Sequence, residues 1–156
     1  MLTYKIPYVC GPLTELPAGV QERAKNFYVR IADLCEKETG ERAFVPHERF
    51  DPVKHASFSP KEVDVAERKQ ICARTSLLIV VAIAPSWGGG IEVEMAYDNG
   101  VPVVILCKKN KRLSRLLLGN PAVIGVIYYA SEKDALSQLR QTIAGYPETA
   151  PSFNGQ

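Results

Sequence analysis

The longest apolar stretch of the chain, Leu77 to Pro85, runs straight into Ser86-Trp87-Gly88-Gly89-Gly90. That stretch has the length of a strand, and it shows no alternation of apolar and polar residues. A strand without alternation is covered on both faces, as in the middle of a parallel sheet. Parallel neighbours need crossover connections, usually helices. The sequence supplies one at once. Ile91 to about Asn99 reads as a helix closed by Gly100, and Pro102–Cys107 reads as the next strand. The chain is thereby confined to the α/β class.

The flanking segments continue the alternation. Ile6–Cys10 reads as the first strand, closed by Gly11-Pro12. Val20, Ala24, Phe27, Tyr28, Ile31, Leu34 and Cys35 recur at helical spacing within Gly19–Lys37, and Gly40 ends that helix. Ala43–Val45 is expected as a short second strand stopped by Pro46. Residues 47–58 carry no period and read as a long loop, a place where function concentrates. Ser59-Pro60-Lys61-Glu62 has the form of a capping box, opening a helix to about Arg74. Beyond Cys107, a basic loop leads to a short helix near Leu113–Leu118, ended by Gly119. Val123–Tyr129 is the last strand. Ser131 to Asp134 cap a final helix ending near Ala144. The expectation is one doubly wound, five-stranded parallel sheet with helices on both faces over residues 1–146. Residues 147–156 would form a flexible tail.

Composition narrows the function classes. A net charge of +2 argues against a nucleic-acid polymer or a membrane surface as partner. No stretch approaches the roughly 20 apolar residues that span a bilayer, and the opening MLTYKIPYVCGP has no signal-peptide pattern. The cysteines, at 10, 35, 72 and 107, match no zinc spacing. They read as reduced thiols in a cytoplasmic protein. No metal or cofactor is called for. GGGIEV lacks the third glycine of the dinucleotide fingerprint and does not follow the first strand, and no GxxxxGK[ST] is present.

In open parallel sheets ligands bind beyond the carboxyl ends of the strands. That rule selects residues 11–16, 47–58 and 85–90. Of these, the glycine turn is the most informative. Bare backbone at a helix start suits an anion, and Ser86 can add a hydroxyl. With the helix starting at Ile91, Glu92 falls in its first turn, where the dipole and free amides would keep it ionised. An ionised carboxylate there can attack an electrophilic carbon, as in retaining glycosidases. The simpler reading is that Glu92 only complements the dipole. Glu94, two residues on, is expected as a solvated charge.

These residues together resemble the nucleoside 2-deoxyribosyltransferase family. The resemblance lies in Tyr8-Val9-Cys10-Gly11-Pro12-Leu13 at the end of the first strand. It continues in Ser86-Trp87-Gly88-Gly89-Gly90-Ile91-Glu92 with Ala96-Tyr97, and in Gly100-Val101-Pro102-Val103. It implies a flavodoxin-like (Rossmann-like) fold, a glycosyl-Glu92 intermediate, and a homodimer or higher oligomer with sites near subunit interfaces. Ser86, where transferases often carry Asp, is similar to the branch that hydrolyses 2′-deoxynucleoside 5′-monophosphates. There this serine and nearby backbone at Gly88 and Gly90 would bind phosphate, and Ser114 would reach the site of a neighbouring subunit. Gly11 and Pro12 would line the substrate site, and Tyr8 would lie beside sugar and nucleophile. Where that branch has a phosphate-binding arginine, this chain has Leu13-Thr14-Glu15; Lys108, Lys109, Lys111 and Arg112 either compensate or form a solvated loop. Where the family has an Asp assisting the leaving base, the register gives Arg68. Glu67 is the residue carried over in its stead, with Asp64 one turn earlier. His47 and His55 lie in the loop that would cover the base, and Trp87 can stack on it. The resemblance therefore implies a nucleotide or nucleoside as small-molecule partner and hydrolysis of its N-glycosidic bond. Base exchange and non-catalytic nucleotide binding are the alternatives.

Overall fold

The computed structural model describes residues 4–146; the expected tail lies outside them. Four strands form one sheet: β1 (Ile6–Cys10), β2 (Thr75–Val81), β3 (Val103–Lys108) and β4 (Val123–Tyr129). Their order is β1-β2-β3-β4, and every neighbouring pair is parallel. The fifth strand expected over Ala43–Val45 is reduced to a single bridge. Phe44 donates its amide to Pro7 O at 2.8 Å and accepts from Val9 N at 2.9 Å. Pro46 has no N–H to extend the ladder, so the pairing stops there.

The bridge still sets the topology. Phe44 lies on the side of β1 away from β2. From β1 the chain steps one way to Phe44, then returns to build β2, β3 and β4 on the other side. The reversal creates a crevice between the carboxyl ends of β1 and β2, where sheets of this kind bind ligands.

Helices cover both faces, as the unbroken apolar run of β2 requires. Val9, Ile79, Val81, Val104 and Leu106 pack under α1 (Ala18–Thr39) and α6 (Glu132–Ala144). Tyr8, Cys10, Leu78, Val80 and Ile105 face α3 (Pro60–Arg74) and α4 (Trp87–Asp98). The period of two in a strand puts Tyr8 and Cys10 together on the α4 side. The expected caps of α3 and α6 form. Ser59 Oγ accepts from Glu62 N, the Glu62 carboxylate accepts from Ser59 N at 2.8 Å, and Ser131 Oγ accepts from Asp134 N at 3.2 Å. The short helix α5 (Arg115–Leu118) ends at Gly119.

Residues 47–58 are more ordered than a structureless loop. They open with a helical turn, α2 (His47–Phe50), followed by Asp51, whose carboxylate accepts from Val53 N at 2.8 Å and Lys54 N at 3.0 Å. The same carboxylate pairs with Lys25 of α1 at 2.6 Å, with both side chains buried. His55 Nδ1 accepts from Asp51 N at 3.0 Å, and Phe50 meets Phe58 edge-on at 5.3 Å. The segment is a wall fastened to α1 by one ion pair.

Hydrogen bonds and the Lys25 ammonium hold the Asp51 carboxyl well below the usual carboxylate range, against the opposing effect of burial. Removing one partner of a deeply buried pair costs ~3–5 kcal/mol. Here Glu22, Pro52, Val53 and Lys54 around the pair are exposed, so Lys25→Met is expected to cost about 2 kcal/mol in urea denaturation. Because folding lowers this pKa, the deficit of Asp51→Asn relative to wild type should be full above pH ~4 and shrink as pH falls further.

Candidate active site

Two turns frame the crevice. At the end of β1, the Tyr28 hydroxyl donates to Pro12 O at 2.8 Å, and a Cβ at Gly11 would collide with that hydroxyl. Glycine is therefore required at position 11 by packing. At the end of β2, Ser86 is the N-cap of α4 and accepts from Gly89 N at 3.1 Å.

The helix thus begins at Trp87, four residues before the expected start, and the three glycines are helical. Glycine weakens a helix by ~1 kcal/mol per residue relative to alanine, yet the serine cap and the packing of α4 on the sheet prevail. Glu92 accordingly sits in the second turn, beyond the unsatisfied amides, and the expectation that helix dipole and amides keep it ionised does not hold. The amides of Trp87 and Gly88 have no acceptor among the described residues. Gly88 and Gly90 are exposed, and a Cβ at either would meet no tight contact. Packing does not demand glycine there, so the bare backbone is open to a ligand.

Glu92 is held by β1 instead. Its side chain is buried, with 9% of the residue exposed, and Oε1 accepts from the Tyr8 hydroxyl at 2.6 Å. Burial raises the Glu92 carboxyl above its ordinary value, while the bonds from Tyr8 and the Cys10 thiol oppose that rise. Burial, and then the charge of Glu92, push the Tyr8 phenol well up, so it stays a donor. Tyr8 is both a core aromatic, stacked on Phe44 at 5.1 Å, and the partner of the carboxylate.

Glu92 opens onto a cleft of about 650 Å³, whose lining includes Gly11, Pro12, His47, Glu67, Ser86, Trp87 and Gly88. Trp87 is 93% exposed. Glu67, half-buried on α3, has its carboxyl pushed up to about 7 by burial first, then by Glu92 and Asp64. Arg68 does not line the cleft; it is exposed and pairs at 2.9 Å with Asp64, which does. His47 is half-buried. Burial lowers its pKa, and its Nδ1 has no hydrogen-bond partner among the described residues.

Gly90 and Ser114 lie elsewhere. They line a second cavity of about 540 Å³ on the other side of Ser86 and Gly89. His55 lines the cleft beside His47, and residues not singled out from the sequence include Phe50 and Phe58 in the cleft wall, Asp51 that anchors it, and Cys10 beside Glu92. The signal for Cys10 was its strand spacing from Tyr8; for Asp51 it was the turn-forming Asp51-Pro52. Glu94 is exposed, as expected, and accepts from Asn120 at 2.9 Å. All four cysteines are free thiols. Among the described residues no helix is long and apolar enough to cross a membrane.

The chain is an α/β protein with a parallel sheet and a buried carboxylate at the crevice beyond its strand ends, and comparison with solved structures gives the particular fold. The CMP N-glycosidase BcmB of Clostridium botulinum superimposes with a TM-score of 0.65 at 19% identity, over 88% of this chain and 99% of that one. A conserved protein of Enterococcus faecalis V583 superimposes with a TM-score of 0.62 at 18% identity, over 90% and 99%. The chain shares their fold. No family model and no curated protein matches it.

A buried acid whose folded pKa lies above its unfolded value destabilises the protein as pH rises from the unfolded value, ~4.3 for Glu, toward the folded one. Glu92→Gln should therefore be more stable than wild type at pH 8, by on the order of 1 kcal/mol in chemical denaturation, and gain nothing at pH 4. Tyr8→Phe should shift the Glu92 carboxyl titration, followed by carbon NMR, further upward.

Proposed function

We propose that this chain is an N-glycosidase that hydrolyses (deoxy)nucleoside 5′-monophosphates through a covalent glycosyl-Glu92 intermediate. The observation that carries the reading is the pair of unlike carboxyls on one cleft. Glu92 receives the Tyr8 hydroxyl at 2.6 Å, whereas Glu67 has no such donor among the described residues and its carboxyl is pushed up to about 7. In this reading Glu67 carries the proton of the pair and Glu92 the charge, because the bonds from Tyr8 and Cys10 favour the charged form of Glu92. Environments that separate two carboxyls in this way assign their roles as nucleophile and acid.

Ionised Glu92 attacks C1′ while the bond from C1′ to the base breaks, and the Glu67 carboxyl gives its proton to the departing base. Water then attacks C1′ of the glycosyl ester, with the Glu67 carboxylate accepting its proton. This frees the sugar 5-phosphate and restores Glu92. Tyr8 positions Glu92 throughout. Ser86 and the open amides at Trp87 and Gly88 provide donors for the phosphate, and His47, His55 and Trp87 surround the base. The fold shared with a CMP N-glycosidase supports the same reading. A homodimer belongs to the proposal too, and sedimentation velocity tests it.

Incubation with each deoxynucleoside monophosphate separates the possibilities. Free base and sugar phosphate from the nucleotide alone support hydrolysis. Product only when a second base is added indicates base exchange, and binding without turnover indicates a nucleotide-binding protein. Glu92→Gln should lower turnover by ~10³-fold or more. Glu67→Gln should lower it by ~10²–10⁴-fold. In wild type, kcat/KM should fall above pH 7 as Glu67 loses its proton, and this alkaline limb should vanish in Glu67→Gln.

A further inference from the structure

The wall over residues 47–58 meets the cleft with Phe50, Pro52, Ala56 and Phe58 beside two histidines. Of its residues that line the cleft, His47 and His55 alone carry polar side-chain atoms. An apolar and aromatic surface of this kind suits a planar base, and its few polar atoms fix which base is accepted.

The two imidazoles differ in what holds them. His55 is tied at three points. Its amide donates to Asp51 O at 2.8 Å, its carbonyl accepts from Phe58 N at 3.2 Å, and its Nδ1 accepts from Asp51 N at 3.0 Å. Asp51 is itself fastened by Lys25 at 2.6 Å and by the amides of Val53 and Lys54. An imidazole nitrogen that accepts a hydrogen bond carries no proton, so the ring proton of neutral His55 sits on Nε2. The Nδ1 bond is the one hydrogen bond of this side chain among the described residues, which leaves Nε2–H without an acceptor. His47 Nδ1 has no partner among the described residues, so no bond there sets its tautomer. His55 thus brings to the cleft a held donor and no free ring acceptor.

In the proposed reaction Glu92 and Glu67 take the glycosidic end of the base. They belong to α4 and α3, whereas His55 belongs to the separate wall fastened to α1. The edge left for the wall is the one remote from the sugar. There the common bases differ by an oxo or an amino group, at C4 of a pyrimidine or C6 of a purine. An oxo group accepts from Nε2–H. An amino group sets donor against donor and leaves both unpaired. The cleft carboxylates do not offset this. Both oxygens of Asp64 accept from Arg68, at 2.9 and 3.3 Å, and Glu15 stands exposed on the turn after β1.

We infer that His55 is a specificity-determining residue, selecting nucleotides whose base carries an oxo group at pyrimidine C4 or purine C6. Asp51 acts through it as a positioning residue, since its backbone amide sets the tautomer. The inference deepens the N-glycosidase reading and rests on it for the placement of the base.

The test measures binding apart from turnover. In a Glu92→Gln background, dUMP is compared with dCMP, and dIMP with dAMP, by calorimetry. The oxo member of each pair should bind about tenfold tighter or more. Adding His55→Asn keeps an acceptor, Oδ1, for the Asp51 amide but removes the far ring nitrogen, and should bring each pair to within roughly twofold. Nitrogen NMR should find the ring proton of neutral His55 on Nε2, with that signal moving when dUMP is added. Equal or reversed affinities within the pairs, a preference that survives His55→Asn, a ring proton on Nδ1, or no binding of any of the four overturns the inference. If the oxo preference depends on His55 but wild type cleaves no nucleotide, the base site stands and the N-glycosidase reading fails. If wild type cleaves both members of each pair with equal kcat/KM, the inference fails and the N-glycosidase reading stands.

Discussion

A phenol and a carboxylate meet at 2.6 Å beneath the start of α4, and the chemistry of the cleft depends on that contact. Glu92 is nearly sequestered from water, a position that by itself favours the protonated form. The Tyr8 hydroxyl, fixed on the sheet, opposes that effect by donating to the charged form, the form the proposed attack requires. The bond also ties β1 to α4 across the switch point, so the proposed nucleophile is aimed by the most buried part of the fold. Such a site is maintained at the expense of stability, a common trade-off in catalytic centres.

The rest of the crevice is built around this pair by local rules. Gly11 makes room for Tyr28, and Ser86 caps α4 so that bare glycine backbone faces outward. The Lys25–Asp51 ion pair fastens the wall that carries His47 and His55. A second cavity meets the cleft at Ser86 and Gly89.

Much of this was legible in the sequence. The unbroken apolar run of β2, the caps of α3 and α6, and the alternation of strands and helices led to a parallel sheet covered on both faces. Two elements were misread for physical reasons. Ala43–Val45 has the composition of a strand, but Pro46 leaves it room for a single bridge. Gly88-Gly89-Gly90 has the composition of a turn, but Ser86 supplies a cap strong enough to start the helix there. The second error moved Glu92 out of the first turn and replaced dipole and amides with Tyr8, a partner 84 residues away that no local pattern reveals. The register points to Arg68, and its neighbour Glu67 stands in for it; Arg68 is exposed and paired with Asp64, whereas Glu67 and Asp64 line the cleft.

The central claim is that Glu92 itself becomes glycosylated. Acid-quenching the protein within milliseconds of mixing with a deoxynucleoside monophosphate it cleaves, followed by peptide mass spectrometry, measures this directly. The account predicts a peptide containing Glu92 heavier by one deoxyribose phosphate residue, present during turnover and absent once substrate is exhausted. Steady turnover with that peptide unmodified, or with the sugar found on another residue, would contradict it.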